Sequence, residues 1–301
     1  MIGRREEIAM SVVNLIDNYR RSLIYSAHWL FSKDLRQELA TTKELQNKHR
    51  DNRCFIVGNG PSLKNHDLNK ITDEFVFTVN YMMKSDDFKT LNPNYHLFAD
   101  PIIFELNPKV KEENKIINLI DSTLKTNPEL TYIIPFRRRV NFVKLFPNHK
   151  FKFIYNYKSY TPKLKKTSRL HSITPGFQNV IIYAINTALY MGFKEIYLIG
   201  VDMTGFLEHF EHNKTNEQWG HFYAKSEEEK AYVLEIEKKK KFDNEFYLKT
   251  YGKTLEQLKL MYAYAAKCNV KLLNASQHGA IDFIPRVDYN SLFTNDFYHK
   301  K

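Results

Sequence analysis

Apolar residues in the first fifty positions recur at helical spacing. Ile8, Val12, Leu15, Ile16, Tyr19, Leu23 and Ile24 fall near a 3.6-residue period and lead into Trp29, Leu30 and Phe31. The pattern predicts an N-terminal helical arm over residues 1–50. From Arg53 the texture changes to short apolar runs bounded by turn residues, at 54–57, 75–79, 95–99, 132–134, 151–155, 196–199 and 270–273. Each is strand-sized, and several are separated by segments long enough for a crossover helix. Over residues 176–191, Val180, Ile181, Ala184, Ala188 and Leu189 make a wide apolar face that stops at Gly192. A strand comes at once after it. That rhythm is that of an α/β, Rossmann-like, doubly wound domain with a mainly parallel sheet. It spans 51–301 and is interrupted at about 205–255 by a segment with little strand character, read as an inserted lid. A last helix, from Leu255 to Cys268, returns the chain to the sheet.

Composition narrows the class without changing the fold. Hydrophobic residues make up 43% of the 301 positions and charged residues 26%, enough to bury a core. The two cysteines, Cys54 and Cys268, exclude a disulfide scaffold; reduced, buried thiols and a cytoplasmic compartment are expected. No run approaches the roughly 20 apolar residues of a membrane span. The net charge of +11 allows nucleic acid, an anionic membrane or an anionic small substrate as partner. No zinc-finger spacing or RNA-recognition signature supports the first, and Lys238 to Lys241, after three glutamates, reads as a solvated helix face. Arg20-Arg21 and the aromatic end of the arm suit peripheral contact with a membrane's inner face. Packing of the arm on the main domain or on a second subunit is the alternative, so a homo-oligomer is compatible with the sequence.

Candidate chemistry gathers where strands end. The first strand runs into Gly58-Asn59-Gly60-Pro61-Ser62, a turn whose N–H groups and adjoining helix start would favour a phosphate or carboxylate. It is neither a G-x-G-x-x-G fingerprint nor a Walker loop. Asn80 comes after the second strand, where its amide would read a base or sugar hydroxyl. Asp100 comes after the third, biased to an extended conformation by Pro101. Thr174 and Gly176 open the long helix, as a second anion seat or as an N-cap. Asp202 ends the strand through Gly200, free to bind a sugar hydroxyl, coordinate a metal or brace the next loop.

In this order, Gly58-Asn-Gly-Pro-Ser-Leu-Lys64, Asn80, Asp100-Pro101, Ile173-Thr-Pro-Gly176 and Gly192 through Asp202 resemble bacterial sialyltransferases of glycosyltransferase family 42. They also resemble the related 6-hydroxymethylpterin pyrophosphokinase MptE-like group, common among surface-polysaccharide genes. The similarity covers about 53–203. It implies metal-independent transfer of a sialic acid-type or Kdo-type sugar from its CMP conjugate to a surface glycan, with inversion. Gly58, Asn59, Gly60 and Asn80 would then contact the nucleotide, joined by Ser62, Asp100, Thr174, Gly176, Asp202 and Thr204. Asp100 replaces the family's amide, Thr174-Pro175-Gly176 its Thr-Ser-Gly, and Thr204 stands where the sialyltransferases have a phosphate-holding tyrosine.

The family's general base is a lid histidine followed by an aromatic residue. His221, before Phe222 and Tyr223, matches best, with His212 next; an imidazole suits deprotonation of an acceptor hydroxyl. Tyr223 and Lys225 would stabilise the departing phosphate. No cofactor or resident metal is expected in this reading. The alternatives are a diphosphokinase-like phosphoryl transferase, in which Asp100 and Asp202 would hold Mg²⁺, and a non-catalytic nucleotide-binding module.

Overall fold

The computed structural model describes residues 16, 19–20, 23–157, 169–209, 221–223, 226–240 and 242–294. Eight strands form one sheet: β1 (Arg53–Val57), β2 (Phe75–Val79), β3 (Tyr95–Leu97), β4 (Thr131–Pro135), β5 (Lys152–Tyr157), β6 (Ile173–Pro175), β7 (Glu195–Ile199) and β8 (Lys271–Asn274). Their order is β6-β5-β4-β3-β2-β1-β7-β8, and every pairing is parallel. The chain thus winds outward from β1 to β6 and then returns to β1's other side with β7. Ligand crevices of open α/β sheets lie at such a reversal, beyond the carboxyl ends of the strands.

Both faces of the sheet are covered, which is why its strands read as uninterrupted apolar runs. Phe55 and Val57 of β1 enter one core with Leu35 and Leu39 of α1 (Lys33–Thr42), Ile120 of α3 (Lys111–Thr126) and Phe142 of α4 (Arg139–Leu145). The short α2 (Asp87–Leu91) adds Phe88 and Leu91 to it. Cys54 and Ile56 point the other way, into a core with α5 (Val180–Met191) and α7 (Asn244–Lys267). Burial pushes the Cys54 thiol up, keeping it protonated. Cys268, expected buried, is exposed after the end of α7.

Two boundaries depart from expectation, at β6 and at the start of the last helix. Residues 173–175 form β6, not the start of a helix; α5 begins at Val180, where the Asn179 side chain accepts from the Ile181 N–H at 2.8 Å. Its end is as expected: Gly192, at φ 88°, donates to the carbonyls of Ala188 and Leu189. Within the segment read as a lid, Glu227–Lys240 form α6, none of whose residues is fully buried. The last helix starts well before Leu255, at Asn244, capped by Asp243.

The N-terminal segment divides. Ile8, Val12, Leu15 and Arg21 lie outside the described residues. Ile16, Tyr19, Leu23 and Ile24, whose spacing predicts a helix, are exposed, while Tyr25 and Trp29 pack on the core. Further on, Leu35 and Leu39 of α1 are fully buried, and Thr42 donates its hydroxyl to the Phe153 carbonyl in β5 at 3.0 Å.

Candidate functional site

A cavity of about 360 Å³ opens at the reversal point, walled by the loops after β1, β2, β3 and β7 and roofed by α6. Of the residues expected to form the site, Gly58, Asn59, Gly60, Asn80, Asp100, Asp202, Thr204, His221 and Tyr223 all line it. Ser62, Thr174 and Gly176 do not. Ser62 lies beneath the wall, and the Thr174 hydroxyl is buried against the Tyr155 carbonyl at 3.2 Å, inside the sheet.

Three N–H groups of the loop after β1, read from the sequence as a phosphate seat, are bonded within the protein. The Gly58 N–H donates to Ile199 O at 2.8 Å, the Gly60 N–H to Gly200 O at 2.7 Å, and the Ser62 N–H to Asp202 Oδ2 at 2.8 Å. Pro61 has none to give. The loop leads into a short 3₁₀ segment, Pro61–Asn65, not an α-helix with an aligned dipole. The glycines are there because two backbones meet: a Cβ at Gly60 would stand 2.5 Å from Asp202 Oδ2 and 2.7 Å from Gly200 O. Asn59 donates its amide to Val79 O at 3.3 Å, while its Oδ1 is buried with no partner among the described residues.

Asn80 and Asp202 are braces as well as wall residues. Asn80 sits at φ 46°, and its Oδ1 accepts from the Ala99 and Asp100 N–H groups at 2.9 and 3.3 Å. Its carbonyl accepts from His96 Nε2 at 3.0 Å, and His96 Nδ1 accepts from the Thr78 hydroxyl at 2.8 Å. Full burial holds this imidazole neutral, lowered to about 3. Asp202 accepts from the Ser62 hydroxyl and N–H, so the bracing role is the one its geometry fills. Burial raises it, against those two bonds. Burial also raises Asp100, whose Oδ1 caps the Ile102 N–H at 3.0 Å.

His221 and Tyr223 reach the cavity on a strap. The Phe222 N–H donates to the Asn59 carbonyl at 3.0 Å and its ring is buried, leaving His221 exposed and stacked on Tyr223 at 5.0 Å. His212 and Lys225 lie outside the described residues.

Several wall residues carried no sequence signal that the motifs used. Tyr81 and Lys84 come after Asn80 in the 3₁₀ turn Asn80–Lys84. Asn179 was findable as a polar residue just before an apolar helical run. Glu229, Tyr232 and Glu237 come from α6 and Tyr251 from α7; with no apolar stripe on α6, nothing in the pattern assigned them a direction. Among the described residues, no group of three His, Cys, Asp or Glu is arranged to hold a metal ion. No helix among them is long and apolar enough to cross a membrane.

No curated protein matches the chain. A solved structure of MAf glycosyltransferase from Magnetospirillum magneticum AMB-1 is similar over 87% of this chain and 39% of its own, at 14% identity and a TM-score of 0.45. Residues 31–205 match the family described as 6-hydroxymethylpterin diphosphokinase MptE-like, a match that takes in α1 as well as the strand-end motifs. With more than half its length matched, the chain belongs to the MptE-like family.

Proposed function

We propose that the protein is a glycosyltransferase that moves a sialic acid-type or Kdo-type sugar from a CMP-activated donor to a hydroxyl of a surface glycan, with inversion. The observation that carries this reading is the strap, which ties His221 to the Asn59 loop through one backbone bond and leaves its imidazole on the cavity wall. His221 would take the acceptor's proton as its oxygen bonds to the anomeric carbon. The bond from that carbon to the CMP phosphate breaks, and its electron pair leaves with CMP. Asn59 Oδ1, buried without a partner among the described residues, would accept from an N–H or O–H of the donor.

One observation favours a second reading, diphosphoryl transfer, the activity in the family's name. Asp100, Asp202, Glu229 and Glu237 all line the cavity. Mg²⁺ needs only one or two carboxylates when substrate phosphates supply the rest. Asp202 and Asp100 would hold it, though each already accepts hydrogen bonds from the chain. A donor screen by thermal shift and turnover decides, using CMP-sugars, other nucleotide sugars and ATP, each with and without EDTA. Stabilisation by CMP that survives chelation supports the first reading; a response confined to ATP with Mg²⁺ overturns it.

Peripheral contact with an anionic membrane belongs to the same proposal. Tyr19, Leu23, Leu30 and Phe31 expose an apolar face, with Arg20 on the same segment. Arg137, bonded to the Tyr25 hydroxyl, adds charge beside it. Such a face fits the headgroup boundary. The protein should sediment with phosphatidylserine vesicles and not with neutral ones.

A further inference from the structure

We infer that Lys84 is the seat of the donor's phosphate and that Glu229 is an internal carboxylate which the phosphate replaces. The inference rests on the reading that the site takes a phosphorylated donor. It starts from the loop after β1, whose Gly58, Gly60 and Ser62 N–H groups are already committed within the protein. With those three N–H groups spent, a phosphate in this crevice gains most from a positively charged side chain. Among the described residues lining the cavity, Lys84 is the one lysine or arginine.

Its surroundings are built for an ammonium. The Lys84 side chain is 15% exposed, with Nζ 4.8 Å from the Tyr81 ring centre and 5.7 Å from that of Tyr223. Two aromatic faces stabilise a cation that has lost part of its water. The turn that carries Lys84 is fixed at its start by Asn80, whose amide and carbonyl are both held by β3 and the segment after it. Tyr223 also stacks on His221, so one ring borders both Lys84 and the imidazole.

The counter-ion is the replaceable half. Glu229 pairs with Lys84 from α6, a helix none of whose residues is fully buried. Its other ties to the body include the Tyr232 hydroxyl bonded to Glu113, Lys240 at 3.6 Å from Glu105, and the half-buried Val233 and Ile236 on the cavity wall. Exchanging Glu229 for a phosphate displaces no fully buried side chain of α6, and a phosphate brings more charge and more acceptor oxygens than a carboxylate. Binding would thus unlatch α6 at one of its few attachment points.

The test is the sign of two substitutions. Titration calorimetry at low salt would compare wild type, Lys84→Gln and Glu229→Gln, with CMP and ATP as probes and cytidine and adenosine as phosphate-free controls. Lys84→Gln is expected to weaken the phosphorylated probe at least tenfold, as for loss of a charge-assisted bond, and to leave the nucleoside unchanged. Glu229→Gln, on an exposed helix, is expected to tighten the phosphorylated probe several-fold by freeing Lys84. A structural ion pair would move both variants in the same direction, and that result overturns the inference, as does equal loss for nucleoside and nucleotide. Should Lys84→Gln fail to fold, failure of Glu229→Gln to tighten binding is enough to overturn it. A wild type that binds ATP but not CMP sinks the choice of donor while the sign test still runs with ATP. A wild type that binds neither sinks both.

Discussion

Replacing Gly60 by alanine measures how closely the loops after β1 and β7 are packed. Gly60 has φ −72°, which alanine adopts freely, so the penalty is steric alone. The new Cβ would meet Asp202 Oδ2 at 2.5 Å, Gly200 O at 2.7 Å and Asp202 Cγ at 2.8 Å. One obstacle is backbone, and the other is a side chain held by two hydrogen bonds from Ser62. Either the overpacked loop strains, at about 1–3 kcal/mol, or Asp202 moves and gives up bonds to a charged group, at about 1.5–3 kcal/mol. The cheaper route sets the cost, about 2 kcal/mol. With a urea m-value of about 3 kcal/mol/M, the unfolding midpoint should fall by roughly 0.7 M. Gly252→Ala is the matched control: it lies within α7 with nothing near its Cβ, so alanine should add about 0.5–1 kcal/mol and raise the midpoint. A Gly60→Ala midpoint equal to wild type would refute the close approach on which the site geometry depends.

The buried His96 sets a pH dependence. Its folded value, lowered to about 3 by burial, lies below the ordinary 6.5, so the unfolded chain takes the proton first. Its neutral-form stability is complete above 6.5 and is lost as pH falls from there towards 3, by about 2 kcal/mol between pH 7 and 5. Urea midpoints at those pH values should show the loss, and His96→Gln should flatten that part of the slope. His221→Ala removes an exposed side chain and should melt with wild type and still bind nucleotide, while turnover drops about 10²–10⁴-fold. Retained turnover would remove His221 from the role of base. Leu39→Ala, emptying a fully buried position on α1, should cost about 2–5 kcal/mol in urea unfolding. An unchanged midpoint would mean that α1 contributes nothing to the domain's core.

The sheet was legible wherever burial on both faces leaves an unbroken apolar run, as in β1, β2 and β7. The end of α5 was legible because Gly192 is the residue a left-handed cap prefers. β6 was not, since it has three residues and its Thr-Pro-Gly neighbourhood serves a helix start equally well. Helix α6 left no trace beyond a charged run because none of its residues is fully buried. The site divides in the same way. Asn59, Asn80, Asp100 and Asp202 could be assigned to one edge from the sequence, because parallel strands deliver their carboxyl ends to one side. Their partners could not. Ser62 and Asp202 are 140 positions apart, and the bonds from Gly58 and Gly60 to the β7 loop span a similar gap. Local periodicity records which residues are buried and which way the chain turns. Which N–H groups are already taken, and which lysine stands on the cavity wall, depends on contacts between distant segments, so only the tertiary structure decides it.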